Sequence, residues 1–188
     1  MKKLFLLCIL ASCAPKQPPT GFTKIDISPD LESPLFSSTE YLGNPLALKT
    51  EFGYDNVADP TRYVKKSTAI VNTDSLRLMR FTELTRMHPD TLQLILFETT
   101  PIISQELLIK IAGDDFKTTF YYVTPRPMDE LKLKVLEQRL SLKAIPVKQG
   151  DTLLGRIYYK AFCEAGCEGE IEIQGDFKAE LGWKSGLY

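Results

Sequence analysis

The sequence predicts an all-β fold: a mainly antiparallel β-sandwich with at most one or two short helices. Three observations carry this. Apolar residues alternate with polar ones in short runs after Thr91. Turn residues such as Gly113-Asp114-Asp115 and Gln149-Gly150-Asp151 part those runs. Pro29, Pro34, Pro45 and Pro60, with Gly21, Gly43 and Gly53, deny residues 21–60 a long helix. An immunoglobulin-like sandwich and a small barrel are two forms such a pattern takes.

Taken in order, residues 21–60 read as short strands and extended connections. Ser67, Ala69 and Val71 alternate with polar neighbours and suggest a strand, and Asn72-Thr73-Asp74-Ser75 reads as a turn or a helix cap. Residues 76–87 fit two patterns. Leu76, Met79, Leu84 and Met87 could share a helical face ended by Pro89, whereas Leu76 with Leu78, or Met79 with Phe81, fit a strand. The β-rich surroundings favour the strand. Leu92, Leu94 and Leu96 interleave with Ile95 and Phe97, giving a strand apolar on both faces. Leu107, Ile109 and Ile111 make the next strand, and Phe116, Phe120 and Tyr122 the one after. Residues 130–145 are again double. Leu133, Leu136 and Leu140 have helical spacing, but Leu131, Leu133 and Val135, then Leu140, Leu142 and Ala144, fit two strands.

The C-terminal hairpin is the clearest element. Ile157, Tyr159, Ala161 and Cys163 share one face of its first strand. Cys167, Ile171, Ile173, Phe177, Ala179 and Leu181 share one face of its second, with Glu168, Glu170, Glu172, Gln174, Asp176, Lys178 and Glu180 opposite. Such regularity means one buried face and one wet face. Glu164-Ala165-Gly166 suits a three-residue loop with Gly166 in the left-handed region. Pairing Cys163 with Cys167 then sets Tyr159 opposite Ile171, Ile157 opposite Ile173 and Lys160 opposite Glu170. A transmembrane barrel is the competing architecture, suggested by the terminal Tyr188. Strands apolar on both faces, such as Leu92–Phe97, do not suit its polar lumen.

The start of the chain is a different kind of segment. Lys2 and Lys3 precede the apolar run Leu4–Ala11, and Leu10-Ala11-Ser12-Cys13 closes it with small residues and a cysteine. That is the layout of a secretory signal peptide. The run is far short of the about 20 residues that span a bilayer. The segment resembles the signal peptide of bacterial lipoproteins, whose lipobox reads Leu-Ala/Ser-Gly/Ala-Cys. Ser12 stands where Gly or Ala is commoner. The resemblance implies removal of residues 1–12 and acylation of Cys13, which makes the membrane a partner through the lipid anchor. Ala14 follows Cys13 where Asp would favour the inner membrane, so the resemblance points to the outer membrane. The absence of an acidic residue in 14–20 points to the periplasmic side. Residues 13–20, with Pro15, Pro18 and Pro19, form an extended tether, and residues 21–188 a single β-rich domain.

Composition bounds the function. The full chain has a formal net charge of −1, and loss of Lys2 and Lys3 makes it more negative. No basic surplus is left to neutralise phosphates, so nucleic acid is excluded as an expected partner. Cys163-x-x-x-Cys167 is the main constellation with possible chemistry. In an oxidising compartment two close thiols pair, which predicts a structural disulfide. The alternative is a periplasmic redox or metal carrier that uses Cys163 and Cys167 as soft ligands. His88 is the single histidine, and His88-Pro89-Asp90 reads as a turn. No Gly-x-Ser-x-Gly accompanies it, so no catalytic role is expected. Asp55, Asn56 and Asp59 lack the spacing and closing Glu of an EF-hand calcium loop, and with Asp114 and Asp115 they read as turn residues. Tyr121 or Tyr122, Tyr158 and Phe162 could form an aromatic platform.

The sequence therefore leads to a lipid-anchored envelope protein that acts as a binding or structural module. No enzymatic activity, cofactor or metal is expected, and an envelope protein is a possible partner.

Overall fold

The computed structural model describes residues 21–40, 64–72, 77–99, 104–123, 131–146 and 148–182. Among them the chain is all-β, with one short helix. Two short strands, β1 (Thr23–Lys24) and β2 (Asp26–Ile27), lead to α1 (Pro34–Ser37). Ser33 caps α1, accepting a hydrogen bond from the Leu35 N–H at 3.2 Å, and Pro34 fills the first helical position. Next come β3 (Ala69–Val71) and β4 (Leu78–Met79). A meander follows: β5 (Phe81–His88), β6 (Thr91–Thr99), β7 (Ser104–Ala112) and β8 (Asp115–Val123). A second meander ends the chain: β9 (Lys132–Leu142), β10 (Thr152–Ala165) and β11 (Glu170–Gly182).

The strands form one path, β1-β8-β7-β6-β5-β11-β10-β9-β2, with β3 and β4 beside β11. Pairing is antiparallel except for two short parallel contacts, β11 with β5 and β2 with β9. Each meander keeps sequential order through hairpins, whereas an immunoglobulin order requires Greek-key connections. The architecture is β-rich with a sandwich-like core, but not immunoglobulin-like in strand order. Nor is it a closed barrel.

One apolar core joins the meanders. Leu94, Leu96, Leu107, Ile109, Phe116, Leu142, Leu153, Ile157, Ile173 and Phe177 are all fully buried. Alternation decides which residues enter it: even positions of β6, odd positions of β7, β10 and β11. Leu78–Met79 and Phe81–His88 are strands rather than a helix, as the β-rich context suggests, and Leu76 lies outside the described residues. Residues 132–142 form one strand rather than a helix or two strands. Its ladder to β10 shifts between Val135 and Glu137, so Leu136 is the extra residue of a β-bulge.

The C-terminal hairpin buries the expected side chains with a different register. Tyr159 pairs with Ile173 and Ala161 with Ile171, while Ile157 faces Gly175. This is a two-residue slip from the sequence-based pairing, which keeps every side chain on its expected face. The cause is the loop. The Cys163 N–H bonds Gly169 O at 2.9 Å, so the turn is longer than three residues. Gly166 has the expected positive φ of 81°, and Gly169 adds another of 73°. Cys167 lies exposed in this turn and not on the buried face of Ile171. Lys160 pairs in the ladder with Glu172 and reaches Glu170 diagonally, with Nζ 2.7 Å from Oε2.

Candidate functional site

The wet face of β9, β10 and β11 carries polar residues in register. Arg139, Tyr158 and Gln174 form one cross-strand row, and Ser141, Arg156 and Asp176 the next. Their strand neighbours Leu140, Ile157, Tyr159 and Ile173 point into the core, which fixes the direction of both rows. The rows line a cleft of about 340 Å³. Gly175 and Ile157 also border it.

Each charge in the cleft is held by another group. The Arg156 Nε donates to Asp176 Oδ1 at 2.6 Å, and its Nη2 to Glu32 O at 3.4 Å. The hydrogen bond and charge of Asp176 raise the Arg156 pKa above its ordinary value. Ser33, the cap of α1, donates to Asp176 Oδ2 at 2.6 Å. Ser141 donates to Asp26 Oδ2 at 3.1 Å. The N-terminal segment is thereby tied to the second row of the cleft. The Arg139 guanidinium lies 4.5 Å from the Tyr158 ring centroid, and its Nε is 3.1 Å from Glu137 Oε1. The result is a charge-balanced surface, dense in planar donors and acceptors, beside one aromatic ring.

The expected disulfide is present: Cys163 and Cys167 are bonded with α-carbons 5.7 Å apart, inside the ordinary disulfide range. His88 does not accompany it. His88 is exposed beside an opening lined also by Met87, Gln149, Leu181 and Gly182. The disulfide lies at the other end of β11, whose 13 residues span about 40 Å. No group of three or more His, Cys, Asp or Glu side chains gathers among the described residues. Asp114 and Asp115 sit at the β7–β8 turn, where Asp115 Oδ1 is 3.4 Å from Lys24 Nζ. Cys13, Asp55, Asn56 and Asp59 lie outside the described residues.

The aromatic candidates are dispersed. Tyr121 and Phe162 are exposed on different strands, Tyr158 borders the cleft, and Tyr122 packs against the core with the Arg77 guanidinium 5.7 Å from its ring. Two of the outward acids of β11 are paired, Glu170 with Lys160 and Asp176 with Arg156. Sequence reasoning named Tyr158 but passed over Arg139, Arg156 and Ser141. Their signal was available only in part. All three occupy wet-face positions, but their convergence depends on the β9–β10–β11 register. Comparison with known protein families, curated proteins and solved structures gives no match.

Proposed function

We propose that the protein is a lipid-anchored binding module of the bacterial envelope, held to the membrane through Cys13 and binding its ligand in the cleft of β9, β10 and β11. The observation that supports this is the paired row of Arg139, Tyr158 and Gln174 with Ser141, Arg156 and Asp176. Because the arginines are already matched by carboxylates, a strongly anionic ligand gains little there. A neutral ligand rich in hydroxyl or amide groups suits the planar donors and acceptors, and a saccharide chain has this chemistry. The ring of Tyr158 supplies an apolar surface. In this reading the arrangement serves recognition.

The test uses the mature lipidated protein in detergent micelles and soluble glycan fragments released from bacterial cell wall. Saturable binding that falls at least tenfold in both Tyr158→Ala and Gln174→Ala supports the reading. Binding unchanged by both variants, or no binding, rejects the cleft. Membrane attachment is tested separately with Cys13→Ala, which should release the protein or leave an unprocessed precursor. Correct processing with unchanged attachment rejects the anchor.

A further inference from the structure

The outermost long strands of the path, β8 and β9, are bridged by the N-terminal segment over only half their length. The extended stretch Thr23–Ile27 pairs with β8 through Thr23 and Lys24, and with β9 through Asp26 and Ile27. Gln138, 8% exposed, spans the same gap. Its Nε2 donates to Gly21 O at 2.9 Å and Thr23 Oγ1 at 2.8 Å, and its Oε1 accepts from the Thr118 N–H at 3.1 Å. Over this half, β1 and β2 of the chain's own N-terminal segment fill the seam.

Past Gln138 the described residues leave the seam open. Among the described residues no strand pairs with the outer edge of β8 from Lys117 to Val123, or with that of β9 from Lys132 to Glu137. A cavity of about 270 Å³ lies where the N-terminal segment ends, bordered by Gly21–Thr23 and Gln138 and reaching between Lys117 and Thr118 on one side and Val135 and Leu136 on the other. The Thr118 hydroxyl beside it is buried and has no hydrogen-bond partner.

Val135 gives the clearest sign that no described residue covers this half. It pairs with Ala161, which is fully buried, so its side chain is on the core side of β9. Yet Val135 is 42% exposed, whereas Leu140 and Leu142 on the same side are 1% and 0%. The latter two lie where the N-terminal segment covers the seam.

We infer that the open half of the β8–β9 seam receives an extended peptide from another protein, which adds as a strand and continues the line set by Thr23–Ile27. Unpaired backbone groups along an edge supply the hydrogen bonds of such an addition, and alternate side-chain positions supply its selectivity. Inward residues of the peptide are apolar, to cover Val135. Outward residues are acidic, because Lys117, Lys132 and Lys134 border the seam and have no ion-pair partner among the described residues. Pairing of β9 with β9 of a second copy is disfavoured by the bulge at Leu136, which twists the edge. This site is separate from the cleft and does not rest on it.

The probe is a fluorescein-labelled synthetic peptide of alternating Glu and Val, added to the mature lipidated protein in detergent micelles. Anisotropy should show saturable binding, at least tenfold weaker for Val135→Asp and for Lys134→Glu. A peptide of alternating Lys and Val should not compete. Hydrogen exchange should slow in segments containing Thr119–Tyr122 and Lys132–Glu137. Val135 is exposed, so its substitution should leave the circular dichroism spectrum intact. No binding at millimolar peptide, protection confined to other segments, or affinity unchanged by both substitutions overturns the proposal. Self-association that protects the same segments without peptide also overturns it, in favour of a second copy.

Discussion

Phe177 lies directly across the ladder from Gly155, and its ring occupies the space a side chain at 155 would need. A β-carbon built on Gly155 would sit 2.4 Å from Phe177 Cζ and 2.7 Å from Leu142 Cδ2. The absent side chain lets one large ring pack across β10 toward β9. Gly175 serves a related purpose. A β-carbon there would meet the Ala69 backbone N and Cα at 2.4 Å, so glycine allows β3 to pack close against β11.

The first prediction follows from those distances. Gly155→Ala overpacks the core and should destabilise by about 1–3 kcal/mol. Gly175→Ala should cost more, because the obstructing atoms are backbone and cannot rotate away. Urea unfolding midpoints of the two variants against the parent check both the sign and the order. A neutral Gly175→Ala rejects the close approach of β3.

These glycines also mark how far the sequence was legible. Positions 155 and 175 fall in phase with the buried residues of their strands, and an interior strand glycine signals a close approach. What approaches was not legible, since Ala69 is far away in sequence. The hairpin faces were legible because one side of each strand meets the core and the other meets water. The register was not, because treating Cys163 and Cys167 as a ladder pair assumed a shorter loop than the Cys163–Gly169 hydrogen bond makes. In β9 the inward positions change from odd, Leu133 and Val135, to even, Leu140 and Leu142. That change of phase looked like two strands and is the bulge at Leu136. The cleft was the least legible part. Arg139, Tyr158 and Gln174 become neighbours only through pairing across three strands.

The second prediction concerns an ion pair whose acidic partner is buried and whose arginine is partly exposed. Arg80 binds Glu98 in a fork, with Nε to Oε2 at 2.8 Å and Nη2 to Oε1 at 2.6 Å. Glu98 itself is only 4% exposed. Replacing Arg80 with Met leaves a buried carboxylate without its counter-charge and should cost about 3–5 kcal/mol. The double variant Arg80→Met with Glu98→Leu should recover much of that loss. Denaturant unfolding of the two variants measures it, and equal losses would show that shape matters here rather than charge.

The third prediction concerns the hairpin end. Replacing Cys163 and Cys167 with alanine removes a short covalent loop and should lower stability by about 2 kcal/mol. The cleft rows lie farther along β10 and β11, so ligand binding there should persist. Ile173→Asp should be far worse, several kcal/mol, because Ile173 is fully buried. Glu172→Lys, on the opposite face, should change stability by less than about 0.5 kcal/mol. Similar losses at 172 and 173 would contradict the assignment of faces.

The fourth prediction concerns alkaline pH. Tyr159 is 1% exposed, and burial raises its phenol pKa from 10.0 to about 12. In the unfolded chain the phenol ionises near 10, while in the fold it keeps its proton to about 12. The folded state therefore binds more protons in that interval, and its stability falls as pH rises. The contribution is complete below pH 10 and is lost through about pH 12. Lys178 works in the opposite direction, since burial and then the charge of Lys66 lower its pKa. The fold releases that proton first, so stability gains as pH rises toward the ordinary lysine value of 10.5. Urea midpoints recorded from pH 9 to about 12 for the parent and for Tyr159→Phe separate the two effects. The parent should lose stability more steeply than the variant above pH 10, because phenylalanine has no proton to lose. Parallel profiles would mean that Tyr159 ionises as readily in the fold as in the unfolded chain, and that its ring is not held out of water.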